Sequence, residues 1–142
     1  MSHQAIFAPM LCLFLVTAVV WVLLLIRRLG YFSANKIHPQ SVPTPDAVKA
    51  AVPEKVQVVG NNLINLFELP MIFYGLTLVV AIAGIADDWF IRGAWAFVGL
   101  RALHSVVHCT YNKVMHRFMV YVVSSLVLWA LVIKVVLQLG VL

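Results

Sequence analysis

Residues 11–26 read Leu11-Cys-Leu-Phe-Leu-Val-Thr-Ala-Val-Val-Trp-Val-Leu-Leu-Leu-Ile26, carry no charge, and stop against Arg27-Arg28. A helix rises about 1.5 Å per residue and the hydrocarbon core of a bilayer is about 30 Å thick, so roughly 20 apolar residues make one crossing. The apolar run extends back to Phe7, which gives it that length. No basic residue precedes it and no small-residue cleavage pattern follows it, so it reads as a retained helix and not as a leader peptide. Inside a bilayer every backbone N–H and C=O must be satisfied within the protein, which leaves helices or a closed barrel; long continuous apolar runs favour helices.

The same pattern recurs along the chain. Residues 27–59 form a polar loop, with His38, Pro39, Pro43, Pro45 and Pro53 breaking helical continuity and Arg27, Arg28, Lys36, Lys49 and Lys55 supplying charge. Apolar runs then predict helices over 61–86, 89–111 and 117–139, beside a first helix at 7–26. The expected fold is all-α, an integral membrane four-helix bundle forming a single transmembrane domain over 1–142. Composition points the same way: of 142 residues, 63% are hydrophobic and 11% charged, where soluble domains carry about a quarter charged. Mean hydropathy is +1.01.

A net charge of +5 could suit nucleic acid, but the basic residues are spread over connections and helix ends, which is the pattern of membrane orientation; no nucleic-acid partner is expected. Lysine and arginine crowd the first and third connections, so both termini are expected to face away from the cytoplasm. Trp21, Tyr31, Trp89, Tyr111 and Trp129 fall near expected interfaces and read as anchors. Cys12 and Cys109 lie in apolar stretches without paired spacing and read as small buried residues, not as a disulfide or a zinc site.

The informative positions are the polar groups inside the spans, where insertion costs a few kcal/mol each. Asn65 and Glu68 are three apart and share a helix face, with Asn61 and Asn62 one turn earlier. Arg101, His104 and His108 form a stripe at i, i+3 and i+7 with Ser105 beside it; His116, Arg117 and Tyr121 open the last helix. In an antiparallel bundle these three groups meet at one membrane face, near the cytoplasmic surface. One reading is structural: Glu68 and Arg101 neutralise each other while the histidines and asparagines bond across helices. A second is a proton relay. A third is a metal held by His104 and His108 with Glu68 or His116, but no HExxH or cysteine set accompanies them and no metal is expected. The fourth is a multiply charged ligand, which accounts for more ionisable groups on one face than packing requires.

Three blocks carry a resemblance: Asn65-Leu-Phe-Glu68-Leu-Pro70, Arg101-Ala-Leu-His104, and Arg117 followed four residues later by Tyr121. Their order and spacing on a chain of this length resemble the membrane-associated proteins in eicosanoid and glutathione metabolism, and the match covers most of the chain. The resemblance implies a homotrimer with sites between subunits, glutathione bound near the cytoplasmic face, and a lipophilic small-molecule substrate drawn from the lipid bilayer. The family's bacterial members look closest, which implies a bacterial inner membrane and periplasmic termini.

By that resemblance Asn65, Glu68, Arg101, His104 and His108 would bind glutathione or support its binding, and Arg117 and Tyr121 would be catalytic. The chemistry is coherent. A glutathione carboxylate suits the guanidinium fork of Arg101, and its amine suits Glu68. A thiol with a pKa near 8.5 is mostly protonated at neutral pH, and a cation such as Arg117 in a partly desolvated site lowers it by about one or two units. Tyr121 would hydrogen-bond the thiolate or the substrate. The implied reaction is transfer to a lipophilic electrophile or reduction of a lipid hydroperoxide; the alternative is a non-catalytic protein of the same scaffold binding a lipid, a quinone or a partner subunit. The chain departs from the family pattern at Asn61 and Ile64, where glutathione-using members carry basic residues, and at His108, where several carry tyrosine.

Overall fold

A computed structural model describes residues 4–140. It contains six α-helices and a single 3-10 turn: α1 Gln4–Ala34, the turn Pro39–Ser41, α2 Pro45–Ala51, α3 Glu54–Leu66, α4 Leu69–Ala83, α5 Asp88–Cys109 and α6 Val114–Leu139. There is no strand among the described residues. Three stretches are long and apolar enough to cross a membrane: Ala5–Ala34, Glu54–Ala83 and Val114–Leu139. Large apolar side chains cover their outer surfaces, including Leu15, Val19, Ile82 and Leu126, an arrangement that suits lipid and not water.

The interior is a single apolar column. Leu13, Val20 and Leu24 of α1 pack with Val59 and Leu66 of α3, Phe73 and Val80 of α4, Phe90 and Phe97 of α5, and Leu128 and Leu131 of α6. Gly93 lets α5 and α6 approach closely, since a Cβ there would sit 2.7 Å from Leu131 Cδ2. At the far end, Asp87 caps α5 by accepting from the Phe90 N–H at 2.8 Å and forms an ion pair with Lys134 of α6.

The helix expected over 61–86 is two helices. Proline has no N–H to give and its ring crowds the carbonyl four residues back, so Pro70 stops α3 at Leu66 and restarts the chain as α4. Between them the Phe67 N–H bonds back to Ile64 O at 2.8 Å, and Glu68 sits at the break with φ −93 and ψ −100. α4 ends at Ala83 instead of 86 because Gly84 turns left-handed, with φ +67, and closes the helix through its own N–H and that of Ile85.

The polar segment 27–59 is folded as well. α1 continues to Ala34, and the prolines start helical turns instead of preventing them: Pro39 opens the 3-10 turn and Pro45 opens α2, whose N-cap is Thr44. Phe32, Val52 and Val56 make a second small core beneath this segment. Gln57 Nε2 fastens it by donating to Lys49 O at 2.6 Å and Val52 O at 2.8 Å.

Candidate functional site

α5 does not reach the apolarity of the three membrane-span candidates, because polar and charged side chains interrupt it. Arg101, His104, Ser105 and His108 all point inward and are buried, while Trp95, Leu103 and Val106 face out. Arg101 has no exposed surface. Its guanidinium stacks over Tyr121 of α6 at 4.8 Å and over Phe97 at 5.4 Å. None of its three side-chain nitrogens has a hydrogen-bond partner, and no carboxylate among the described residues pairs with it. A buried, unpaired cation costs several kcal/mol.

The neighbours extend the cluster. His104 lies 5.5 Å from His108 edge to face and 5.9 Å from the Tyr121 ring. Its Nδ1 is 3.2 Å from the Arg117 carbonyl; a carbonyl only accepts, so Nδ1 carries the proton and Nε2 is left as a bare acceptor. Arg117 Nη1 reaches His108 Nε2 at 3.0 Å and Asn112 Oδ1 at 2.8 Å. Arginine only donates, so His108 accepts at Nε2 and holds its proton on Nδ1. His104 Nε2 and His108 Nδ1 are both buried without partners. Within the cluster the unsatisfied set is thus one full guanidinium, one N–H donor and one acceptor.

Of the residues expected to form the site, the structure brings together Arg101, His104, His108, Arg117 and Tyr121. It does not bring Asn65 and Glu68 into hydrogen-bond contact with them. Asn65 is half-buried, and Glu68 is exposed at the break between α3 and α4. The expectation of one continuous helix placed these two residues on the Arg101 side; Pro70 ends that helix and turns Glu68 outward.

One part of the site was missed by sequence reasoning. Asn112 adopts φ +47, a left-handed conformation that asparagine tolerates better than most residues, and from it accepts the Arg117 bond. An asparagine just ahead of a helix is the only signal for it. Asn62 on α3 links to α5, accepting from Ser105 Oγ at 3.4 Å and donating to Cys109 Sγ at 3.4 Å. Both nitrogens of Arg27 that bond do so to backbone, Nη1 to Lys55 O at 3.2 Å and Nη2 to Cys109 O at 3.1 Å. α1, α3 and α5 are thereby stapled at the end of the bundle that carries the site. No group of three His, Cys, Asp or Glu side chains able to hold a metal occurs among the described residues.

The donor set fits an anionic ligand. Arg101 presents a planar fork suited to a carboxylate, but Tyr121 and Phe97 close over it, so access requires Tyr121 to move. The model of the MAPEG family matches residues 6–137, nearly the whole chain. No curated protein and no solved structure matches it.

Proposed function

The chain belongs to the MAPEG family, and from that membership and the unpaired Arg101 guanidinium we propose a membrane enzyme that uses glutathione on lipophilic electrophiles or lipid hydroperoxides. Glutathione supplies a thiol nucleophile and two carboxylates. Arg101 meets a carboxylate once Tyr121 swings away, which converts a costly buried charge into a paired one. Arg117, oriented by His108 and Asn112, retains N–H donors beyond the two it spends on them and holds the thiolate. Tyr121, on the same side of α6, then lies free to hydrogen-bond the sulfur or the substrate. Glu68, exposed in a membrane-spanning segment, pairs with the ammonium group, with Asn65 supporting it.

The proposed architecture has four crossings, with α5 as the fourth span because its polar residues are internal and its 22 residues extend roughly 33 Å. An exposed carboxylate at Glu68 calls for protein cover, which a homotrimer supplies. The proposed location is a bacterial inner membrane with periplasmic termini and the site near the cytoplasmic face. A second reading, a non-catalytic scaffold that binds a lipid, a quinone or a partner subunit, is favoured by one observation: Arg101 is fully covered in the single chain.

Calorimetric titration of the detergent-solubilised protein with glutathione, and with an analogue lacking the thiol, separates the two. The enzyme predicts binding that is lost in Arg101→Met, and a thiolate absorbance that disappears in Arg117→Ala. No heat at millimolar glutathione refutes it in favour of the scaffold.

A further inference from the structure

A crevice runs between α1 and α5 along the face of α5 next to the one that carries Arg101. Its deeper part is a groove of about 440 Å³ walled by Leu15, Val19 and Leu23 on one side and Ala102, Val106 and Thr110 on the other. Its outer part is a cleft of about 780 Å³ bordered by Arg27, Tyr31, Glu54, Lys55 and Tyr111. Thr110 borders both, so the two are stacked end to end, apolar below and charged above.

The dimensions match half a bilayer. The groove follows α1 from Cys12 to Leu23, a rise of roughly 16 Å, and one leaflet of hydrocarbon is about 15 Å deep. The charged end holds two cations against one carboxylate, with Tyr31 and Tyr111 at the level where such rings sit in an interface. Arg27 is committed to the carbonyls of Lys55 and Cys109, which fixes the mouth of the crevice and leaves the exposed Lys55 ammonium to meet a ligand. A phosphate headgroup answers the net positive charge of this mouth.

We propose that this crevice binds one anionic phospholipid, one acyl chain along the α1–α5 groove and its phosphate at Lys55, beside the charge of Arg27. The site does not depend on glutathione chemistry, and it biases the protein towards membranes rich in anionic lipid. Each basic residue near a membrane surface multiplies affinity for anionic lipid roughly fivefold.

Native mass spectrometry of the full chain, titrated with phosphatidylglycerol or phosphatidylcholine of identical acyl composition, tests it. One phosphatidylglycerol per chain is expected to bind at least fivefold more tightly than phosphatidylcholine. Lys55→Glu abolishes that preference without weakening phosphatidylcholine. Val106→Trp, which fills the groove, weakens both lipids tenfold, whereas Ile133→Trp on the exposed face of α6 weakens neither. Leu15→Trp fills the groove from α1 and replaces Val106→Trp if that variant fails to fold. Equal retention of the two lipids, or unchanged binding in the groove-filling variants, overturns the proposal. So does efficient disulfide crosslinking of Val106→Cys to a second copy in a lipid disc, because the groove is then a subunit contact.

Discussion

Replacing Arg101 with methionine removes a buried cation while keeping a long flexible side chain in its place. Taking an ion out of water without a counter-charge costs several kcal/mol. Arg101 recovers part of that from the Tyr121 ring at 4.8 Å and the Phe97 ring at 5.4 Å, each contributing about 2 kcal/mol when desolvated. None is recovered from hydrogen bonds, since all three nitrogens lack partners. The difference leaves Arg101→Met more stable than the parent by about 2 kcal/mol without ligand, a rise of roughly 4–8 °C in unfolding temperature. The assay is thermal unfolding in one detergent, with and without glutathione. At a concentration one hundred times its Kd, glutathione stabilises the parent by about 2.7 kcal/mol and leaves the variant unchanged. A ligand-free Arg101→Met that is less stable by 2 kcal/mol or more refutes the reasoning, because the guanidinium is then a structural charge and not a waiting one.

Three further outcomes follow from geometry described above. Gly93→Ala forces a Cβ to 2.7 Å from Leu131, itself fully buried, and is expected to cost about 1–3 kcal/mol in denaturation, while Gly99→Ala, with nothing within 4 Å, costs nothing measurable. His108→Gln keeps an acceptor for Arg117 and is expected to retain most turnover, whereas His108→Phe lowers kcat at similar KM, read from initial rates over a glutathione series. The hydrogen bond from Lys134 holds the Asp87 carboxyl below its ordinary value of 3.8, so its stabilisation is complete above that pH and is lost as pH falls through the folded value. Asp87→Asn preserves the helix cap, so its deficit in thermal unfolding is expected to be constant from pH 7 to 5 and to shrink towards pH 3.

The helical, membrane-spanning character of the chain is legible in the apolar runs themselves, because a bilayer permits few alternatives. The stripe of Arg101, His104 and His108 is legible for the same reason: ionisable residues at helical spacing inside an apolar run must turn inward, and all three are buried. What escaped was set by backbone. Pro70 lies inside an apolar run that hydropathy reads as continuous, yet it splits the helix and leaves Glu68 at the break. The prolines of the 27–59 segment read as breakers, but at the first position of a helix a missing N–H costs nothing, so they initiate the turn at Pro39 and α2 at Pro45. Asn112 contributes through a positive φ that no periodicity encodes.

The Arg27 staple sets an order of assembly. Its two acceptors lie 28 and 82 residues away in sequence, so one half of the fork can engage as soon as α3 has emerged, while the other waits for the end of α5. Loop closure of that length is entropically costly and late. During synthesis the first helix therefore remains half-fastened from the end of α3 until the end of α5 is made, and α5 arrives as the wedge that locks it. Arg101 is covered one step later, since the Tyr121 ring that stacks over it belongs to the helix made last. A ribosome-bound intermediate ending between α5 and α6 would carry Arg101 without the Tyr121 ring over it.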